Sequence, residues 1–391
     1  MKISKRAQSI APFYAMAFGA KAADLAEQGH PIIKLSLGEP DFGAPPAVIE
    51  AGKKLMDGRA LAYTSALGLP ELRQKISEFY LHRHGVSVDP KRIIVTAGAS
   101  AALLLLTAAL VDHGDEVMVG DPSYPCNRQF LSSFGAEVEL VATDARTYYQ
   151  LSMQSVQQHW TAKTTGLMIA TPSNPTGTSI PIDELKQICA WAQQHQAWRI
   201  IDEIYLNLAD PDAEGNVPQT VLSFDPDAIV INSFSKYFGM TGWRLGWCVV
   251  PEELVPIIEN LAQNYFICPS TIAQYAALEC FTEESLAVCE QRREIFMQRR
   301  QLVLAALKRI GLPVPVEPDG AFYVYFDVSA TGLSSWQFCE RVLQEAHVAL
   351  TPGQDFGHAQ AETHVRLSYA ASTEHLEQAL QRIENFVRSL N

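Results

Sequence analysis

Residues 228–236, Ala-Ile-Val-Ile-Asn-Ser-Phe-Ser-Lys, contain the pattern that says most about the fold of this chain. The run from Ala228 to Asn232 is almost wholly apolar, which is typical of a buried strand. Lys236 follows within a few residues, and open α/β folds bind their ligands at the carboxyl edge of the sheet. We therefore expect a ligand site around Lys236.

Three polar side chains accompany Lys236. Ser233 and Ser235 precede it, and Arg244 follows eight residues later in Gly-Trp-Arg-Leu-Gly, residues 242–246. Hydroxyls and a guanidinium suit a phosphate, and a lysine amine forms a Schiff base with a carbonyl. Pyridoxal 5′-phosphate is a ligand that offers both groups.

Apolar strands alternate with helical patterns from about residue 45 to residue 290. This alternation predicts an α/β fold, with a mainly parallel sheet and helices on both faces. The predicted strands are 92–96, 116–119, 137–141, 167–170, 199–204, 229–233 and 245–250, and the predicted helices are 100–111, 124–134 and 182–196.

The pattern changes after residue 290. It predicts a smaller α+β unit. This unit consists of a long charged helix (290–310), two strands (321–328 and 365–369) and two further helices (335–345 and the C-terminus). We therefore expect three regions. They are an N-terminal arm with part of the small domain (1–45), a large ligand-binding domain (46–290) and a small C-terminal domain (291–391).

The composition excludes several classes of protein. The chain has 391 residues, of which 48% are hydrophobic and 19% charged, as in ordinary globular proteins. Its net charge of −13, without a basic run, argues against binding to nucleic acid or an anionic membrane. No signal peptide and no stretch of ~18 apolar residues for a membrane helix is evident. The seven scattered cysteines predict reduced thiols in a cytoplasmic protein. The histidines do not form a cluster that would predict a metal site.

Further segments place polar groups where predicted strands end. Thr-Ala-Gly-Ala-Ser at 96–100 would present backbone N–H groups at a helix N-terminus, which is a site for anions. Asn174 and Tyr205 would suit the phenolic oxygen of pyridoxal phosphate. Asp202 ends an apolar strand, where a carboxylate is costly unless a cation such as a protonated pyridine nitrogen pairs with it.

Two more residues suit the same kind of ligand. Arg366 lies in a predicted strand between apolar neighbours, and its planar fork can bind a carboxylate. Tyr124 offers a flat face on which a heteroaromatic ring would stack. Taken singly, each also fits a structural role, as a surface arginine or a core tyrosine.

Together, the motifs of this chain resemble those of the class I/II aminotransferases, which are fold-type I pyridoxal-phosphate enzymes. The motifs are Ser-Leu-Gly-Glu-Pro-Asp-Phe (36–42), Tyr-Thr (63–64) with Gly68, Asn-Pro-Thr-Gly (174–177), Asp-Glu-Ile-Tyr (202–205), Ser-x-Ser-Lys (233–236), Gly-Trp-Arg-Leu-Gly (242–246), Gly-Ala-Phe-Tyr (320–323) and Thr-Pro-Gly (351–353) with Phe-Gly (356–357). The resemblance covers nearly the whole chain. It implies a large domain with a mainly parallel sheet between helices, and a smaller α+β domain.

The resemblance also implies a role for each matched residue. Lys236 would hold the cofactor as a Schiff base and act in catalysis with Asp202 and Tyr205. The phosphate would bind Ala99, Ser100, Ser233, Ser235 and Arg244; the ring would contact Tyr124, Asn174, Asp202 and Tyr205; and the substrate would bind Arg366, Asn174 and Gly38. Tyr63 would reach the phosphate of a neighbouring subunit, which implies a homodimer.

The implied activity is the transfer of an amino group from an L-amino acid to a 2-oxo acid in two half-reactions. A C–S lyase acting by β-elimination is the alternative, because the same electron sink serves both reactions. A regulator that senses the cofactor would need an appended basic DNA-binding domain, for which this chain has neither the length nor the charge.

Ser100 bears on the choice of substrate. In many bacterial members of the family that use aspartate, a lysine stands at the corresponding place just after the small residues of the phosphate turn. A second carboxylate in a partly dry pocket needs such a cation. We therefore expect a neutral or aromatic amino acid as donor, and a 2-oxo acid such as 2-oxoglutarate or pyruvate as acceptor.

Overall fold

A computed structural model describes residues 1–12, 14–212 and 214–390, and its strands form three sheets within these ranges. The strands are β1 (Ile33–Lys34), β2 (Ile93–Thr96), β3 (Glu116–Asp121), β4 (Glu137–Ala142), β5 (Thr164–Ala170), β6 (Trp198–Asp202), β7 (Ile229–Ser233), β8 (Gly246–Val249), β9 (Tyr323–Asp327), β10 (Val348–Ala349), β11 (Thr351–Pro352) and β12 (His364–Ser368). The α-helices are α1 (Lys5–Ser9), α2 (Tyr14–Glu27), α3 (Pro46–Leu55), α4 (Pro70–His84), α5 (Ala99–Leu110), α6 (Pro125–Ser133), α7 (Met153–His159), α8 (Ile182–Gln194), α9 (Val255–Tyr265), α10 (Thr271–Ala277), α11 (Glu283–Ile310), α12 (Ser335–Arg341) and α13 (Thr373–Leu390).

The large sheet has the strand order β2-β8-β7-β6-β5-β3-β4 among the described residues. Neighbouring strands are parallel, except that β8 runs antiparallel to β2 and β7. The predicted α/β class with a mainly parallel sheet is confirmed. Since β2, β3, β5, β6 and β7 all point the same way, their carboxyl ends meet at one edge.

Helices cover both faces of the large sheet. In β7, Ile229 and Ile231 belong to a core that also contains residues of α5 and α9, whereas Val230 belongs to the core that contains residues of α4 and α8. Alternate side chains of a strand point to opposite faces. A strand buried on both faces is therefore apolar at successive positions, and this explains the continuous apolar runs in the sequence.

A smaller antiparallel sheet, β11-β12-β9, carries Arg366 at the centre of β12. Near it, β1 from the N-terminal arm pairs in parallel with β10. Helix α11 begins at Glu283, seven residues before the predicted start, because the Thr282 side chain accepts a hydrogen bond from Ser285 N–H and caps the helix. The predicted domain boundary at residue 290 thus lies inside α11.

Neither a membrane-spanning helix nor a metal-binding cluster occurs among the described residues. No helix in this part of the chain is both long and apolar enough to cross a membrane. Nor do three or more His, Cys, Asp or Glu side chains of these residues come together in a group that could hold a metal ion.

Candidate active site

The carboxyl edge of the large sheet brings together several of the residues that the sequence predicts for a ligand site. Asp202 and Ser233 are the last residues of the adjacent parallel strands β6 and β7. Lys236 lies three residues beyond β7, and the turn after β2 enters α5 at Ala99. An amine, a carboxyl group, a hydroxyl and a helix N-terminus therefore meet at one edge.

Lys236 is partly buried beside the loop that contains Gly38. Its Nζ donates a hydrogen bond of 2.5 Å to Gly38 O and lies 5.8 Å from the ring centre of Tyr205. Burial lowers the pKa of the Lys236 amine to about 8, whereas the charge of Glu39 acts in the opposite direction. A pKa so near neutrality leaves part of the amine unprotonated, as a nucleophile must be.

Two tyrosine hydroxyls meet next to Lys236. The hydroxyl oxygens of Tyr205 and Tyr323 are 2.7 Å apart, and a Cβ on Gly38 would lie 2.1 Å from that of Tyr323. A side chain at position 38 would therefore displace the Tyr323 hydroxyl. Burial raises the pKa of both tyrosines, so both hydroxyls keep their protons; one proton is shared between the two oxygens, and the other can be donated to an anionic oxygen. Tyr323 lies in the Gly-Ala-Phe-Tyr motif (320–323), and its pairing with Tyr205 was not predicted.

Asp202 is a desolvated carboxyl group. The residue is only 5% exposed, and Ile204 N–H donates to its Oδ1 at 3.1 Å. Burial raises the pKa of Asp202 to about 7, although this hydrogen bond and the charge of Lys236 both lower it. A cationic N–H placed against such a group stabilises its charged form. The environment of Asp202 thus fits a protonated pyridine nitrogen.

Arg366 reaches the site from the small sheet. Its Nη1 donates to Asn174 Oδ1 at 2.7 Å, and its Nη2 donates to Ser36 O. The guanidinium carbon lies 4.6 Å from the ring centre of Tyr323 and 4.8 Å from that of Phe356. These contacts fix the plane of the guanidinium, which is what two-point binding of a carboxylate requires.

The turn between β2 and α5 lies against Arg244. A Cβ on Gly98, whose φ is +79°, would lie 2.7 Å from Arg244 Nη2. The Nη1 of Arg244 donates to Thr241 O at 3.1 Å. Helix α5 begins at Ala99, and Ser100 in its first turn is exposed. A helix N-terminus beside a guanidinium has the donors and the charge that suit a phosphate.

Ser233 and Ser235 lie buried in the loop that leaves β7. The Oγ of Ser233 accepts a hydrogen bond from Ser235 N–H at 3.0 Å and donates one to Leu245 O at 3.4 Å. Ser233 therefore takes part in the bonding that shapes this loop. Contact of either hydroxyl with a phosphate stays a prediction.

Tyr124 and Tyr63 lie in different surroundings. Tyr124 directly precedes α6 in the loop after β3, and burial raises the pKa of its hydroxyl. Tyr63 lies between α3 and α4 and is 77% exposed. Within one chain Tyr63 faces solvent, a placement compatible with a role in a neighbouring subunit.

Comparison with known proteins places the chain in a family. The family model for aminotransferase class I and II matches residues 30–383. The chain is 38% identical over 382 residues to the valine–pyruvate aminotransferase of Mycobacterium tuberculosis and 37% identical over 385 residues to the aspartate/prephenate aminotransferase of Thermus thermophilus, with 97% of each chain covered in both cases. It matches the crystal structure of an aminotransferase from Mycobacterium tuberculosis with a TM-score of 0.95 and 37% identity over all of both chains. The chain therefore belongs to the class I and II aminotransferase family, as its motifs indicate.

Proposed function

We propose that this aminotransferase binds pyridoxal 5′-phosphate at the carboxyl edge of the large sheet, with Lys236 as its point of attachment. The observation that carries the proposal is the position of the Lys236 amine, which lies at this edge 2.5 Å from Gly38 O and 5.8 Å from the ring centre of Tyr205. When bound, the cofactor supplies a carbonyl for the lysine and an electron sink for the substrate.

Each part of the cofactor has groups of suitable chemistry at this edge. The α5 N-terminus and Arg244 suit the phosphate, the desolvated Asp202 suits the ring nitrogen, and the protonated hydroxyl of Tyr205 suits the phenolic oxygen. In the full assignment the phosphate is held by Ala99, Ser100, Ser233, Ser235 and Arg244, and the ring by Tyr124, Asn174, Asp202 and Tyr205.

The chain's own residues then have distinct tasks. Arg366 and Asn174 bind the α-carboxylate of the amino acid, with Gly38 allowing close approach of the backbone. Lys236 would hold the cofactor, and its amine, when free, would take the proton from the substrate Cα. Its hydrogen bond to Gly38 O keeps the amine on this side of the site. Elimination by a C–S lyase is not favoured, because the chain belongs to a family of aminotransferases.

The predicted division into domains 1–45, 46–290 and 291–391 is retained in this proposal. It is supported by the positions of the sheets, because the large sheet lies within 93–249 and the small antiparallel sheet within 323–368. The cofactor would bind the large domain, while Arg366 approaches from the small one.

A cytoplasmic location is also part of the proposal. The seven cysteines of the chain are free, and five of them are buried. Unpaired buried thiols are typical of proteins from a reducing compartment.

The proposed assembly is a homodimer. Large apolar side chains are exposed on the segment between α3 and α4 and around α9 and α10, and the two regions touch through a 2.9 Å hydrogen bond from Thr271 Oγ1 to Ala62 O. An exposed apolar patch of this kind marks an interaction surface. Its members are Leu61, Tyr63, Tyr265, Ile267 and Tyr275. We assign Tyr63 to the phosphate site of the partner subunit.

Mixed dimers test this assignment. Lys236→Ala should abolish activity, and Tyr63→Ala should lower it strongly when the cofactor is not saturating. Random mixing of the two should restore about a quarter of the parent activity, because half of the dimers are mixed and each holds one intact site. The measurement is kcat per subunit after co-expression with two affinity tags.

The matched control mixes Lys236→Ala with Asp202→Asn. Both residues belong to the site of their own chain, so each site of the mixed dimer keeps one defect and no activity should return. If Tyr63 serves its own chain, the Tyr63→Ala mixture will behave like this control, and the shared site is wrong.

The proposed donor is a neutral or aromatic L-amino acid. Ser100, which is exposed in the first turn of α5, supplies no charge for a second carboxylate. Relatives of similar identity are named for valine and pyruvate or for aspartate and prephenate, so their names do not decide between a neutral and an acidic donor.

A panel of half-reactions with single amino acids tests the proposed function and its donor. The kcat/KM for aspartate should exceed the values for alanine, phenylalanine and tyrosine by no more than about 10-fold, or about 1.4 kcal/mol. Ser100→Lys should raise the kcat/KM for aspartate more than the kcat/KM for the other three amino acids. A larger preference for aspartate in the parent would mean that another cation binds the second carboxylate.

A further inference from the structure

Residues 353–359 form a loop between β11 and β12 that lies beside the Arg366 guanidinium. Phe356, fully buried in this loop, provides the ring 4.8 Å from the guanidinium carbon. Thr351 precedes the loop, stands opposite Arg366 in the sheet register and accepts a hydrogen bond of 3.3 Å from its Nη2. The position of the loop and that of the arginine are therefore coupled through direct contacts.

The end of strand β3 holds this loop from the large sheet. The Asp121 carboxylate accepts hydrogen bonds from His358 N–H, at 2.9 and 3.1 Å to its two oxygens, and from Ala359 N–H at 3.2 Å. Ser123 N–H donates to Phe356 O at 2.9 Å. Asp121 is only 3% exposed. Its charge is thus balanced by backbone N–H groups of the loop, which act as charge-assisted donors.

The contact is close enough to dictate the sequence of the loop. A Cβ on Gly357, whose φ is +154°, would lie 1.7 Å from Asp121 Oδ1. A second attachment comes from Arg128 in α6, whose Nη2 donates to Asp355 O at 3.0 Å. The Asp355 carboxylate in turn accepts 2.7 Å and 3.3 Å bonds from the N–H groups of Tyr14 and Ala15 at the start of α2.

We propose that Asp121 is a positioning residue for Arg366. Its carboxylate holds residues 356–359 so that Phe356 packs on the guanidinium and keeps it aligned before the substrate arrives. A buried carboxylate is costly unless donors satisfy it, and here the donors belong to the loop itself. A guanidinium that is already aligned loses less conformational entropy when the substrate binds. This inference rests on the proposed role of Arg366 in binding the α-carboxylate.

The first test compares Michaelis constants. Asp121→Ala should raise KM for alanine, phenylalanine and 2-oxoglutarate by a common factor of about 10, with kcat within about 3-fold of the parent, because the α-carboxylate is shared by all three. Asp121→Asn keeps an acceptor for the two N–H groups and should recover most of the loss. The absorption spectrum of the holoenzyme without substrate should not change. Asp210→Ala, which breaks the 2.5 Å contact with Arg300 away from the loop, is the matched control and should leave KM unchanged.

A double-mutant cycle decides whether Asp121 acts through Arg366. In an Arg366→Lys background, Asp121→Ala should lower kcat/KM by less than about 2-fold, since the group it positions is gone. The inference is wrong if the losses of kcat/KM caused by the two substitutions multiply in the double variant. It is also wrong if Asp121→Ala raises KM for only some of the substrates. If Asp121→Ala does not fold, Gly357→Ala takes its place, because it displaces the loop and leaves the carboxylate. A parent without transaminase activity would refute the proposed function instead.

Discussion

Lys236→Ala is expected to lower kcat by more than about 10⁴-fold, since one side chain supplies both the nucleophile and the proton carrier. The pKa of about 8 that burial gives the amine suits both tasks. The α5 N-terminus and Arg244 are untouched by this change, so the variant should still fold and bind the cofactor. The measurement is the rate of a single turnover with the holoenzyme.

Borohydride reduction provides an independent check of the same residue. In the parent it should fix one pyridoxyl group per chain on the peptide that contains Lys236, and in Lys236→Ala none. Lys163→Ala is a suitable control, because that side chain is 66% exposed and forms only a 3.6 Å surface pair with Glu137. Activity near the parent level in Lys236→Ala, or a label on another lysine, would contradict the assignment.

Asp202→Asn is the second change with a large expected effect. It preserves shape but removes the negative charge that would keep the ring nitrogen protonated, so the electron sink weakens. We expect kcat to fall by about 100-fold or more, with the loss in Cα proton abstraction rather than in substrate binding. A primary isotope effect with Cα-deuterated substrate should therefore increase. A kcat within a few-fold of the parent would leave Asp202 only a structural role.

The same variant should change the pH dependence of stability in the protein without cofactor. Burial raises the pKa of Asp202 from 3.8 to about 7, so between these values the folded state holds a proton that the unfolded state has lost. Stability from this group is present below about pH 4 and is lost as the pH rises to 7. Asp202→Asn removes this loss of stability, because the asparagine side chain does not titrate. The apo variant should melt above the apo parent at pH 8, and by less at pH 5; equal melting at pH 8 would contradict the raised pKa.

The sheet and the residues at its edge could largely be predicted, because strands buried on both faces leave a continuous apolar signal. Strand β7 has the bounds 229–233 in both prediction and structure. Strand β3 continues two residues past its predicted end, to Asp121, because backbone pairing with β4 does not require apolar side chains. Helix α4 was not predicted, although Leu72, Ile76 and Phe79 bury one face at helical spacing.

Contacts between distant segments could not be predicted from local patterns. Arg366 and Asn174 are 192 residues apart in sequence, and only the resemblance to a family placed them together. The pairing of the Tyr205 and Tyr323 hydroxyls and the contact of Asp121 with the loop at 357–359 depend on how the small sheet meets the large one. Neither has a signal in spacing or composition.

We expect the chain to transfer an amino group rather than to eliminate a leaving group. One half-reaction tests it most directly: purified holoenzyme is mixed with an L-amino acid, without any 2-oxo acid, and the products are counted. Transamination predicts one equivalent of 2-oxo acid per subunit, no free ammonia, and renewed turnover when 2-oxoglutarate is added. Continuous release of ammonia and pyruvate from a β-substituted alanine, without an acceptor, would contradict it.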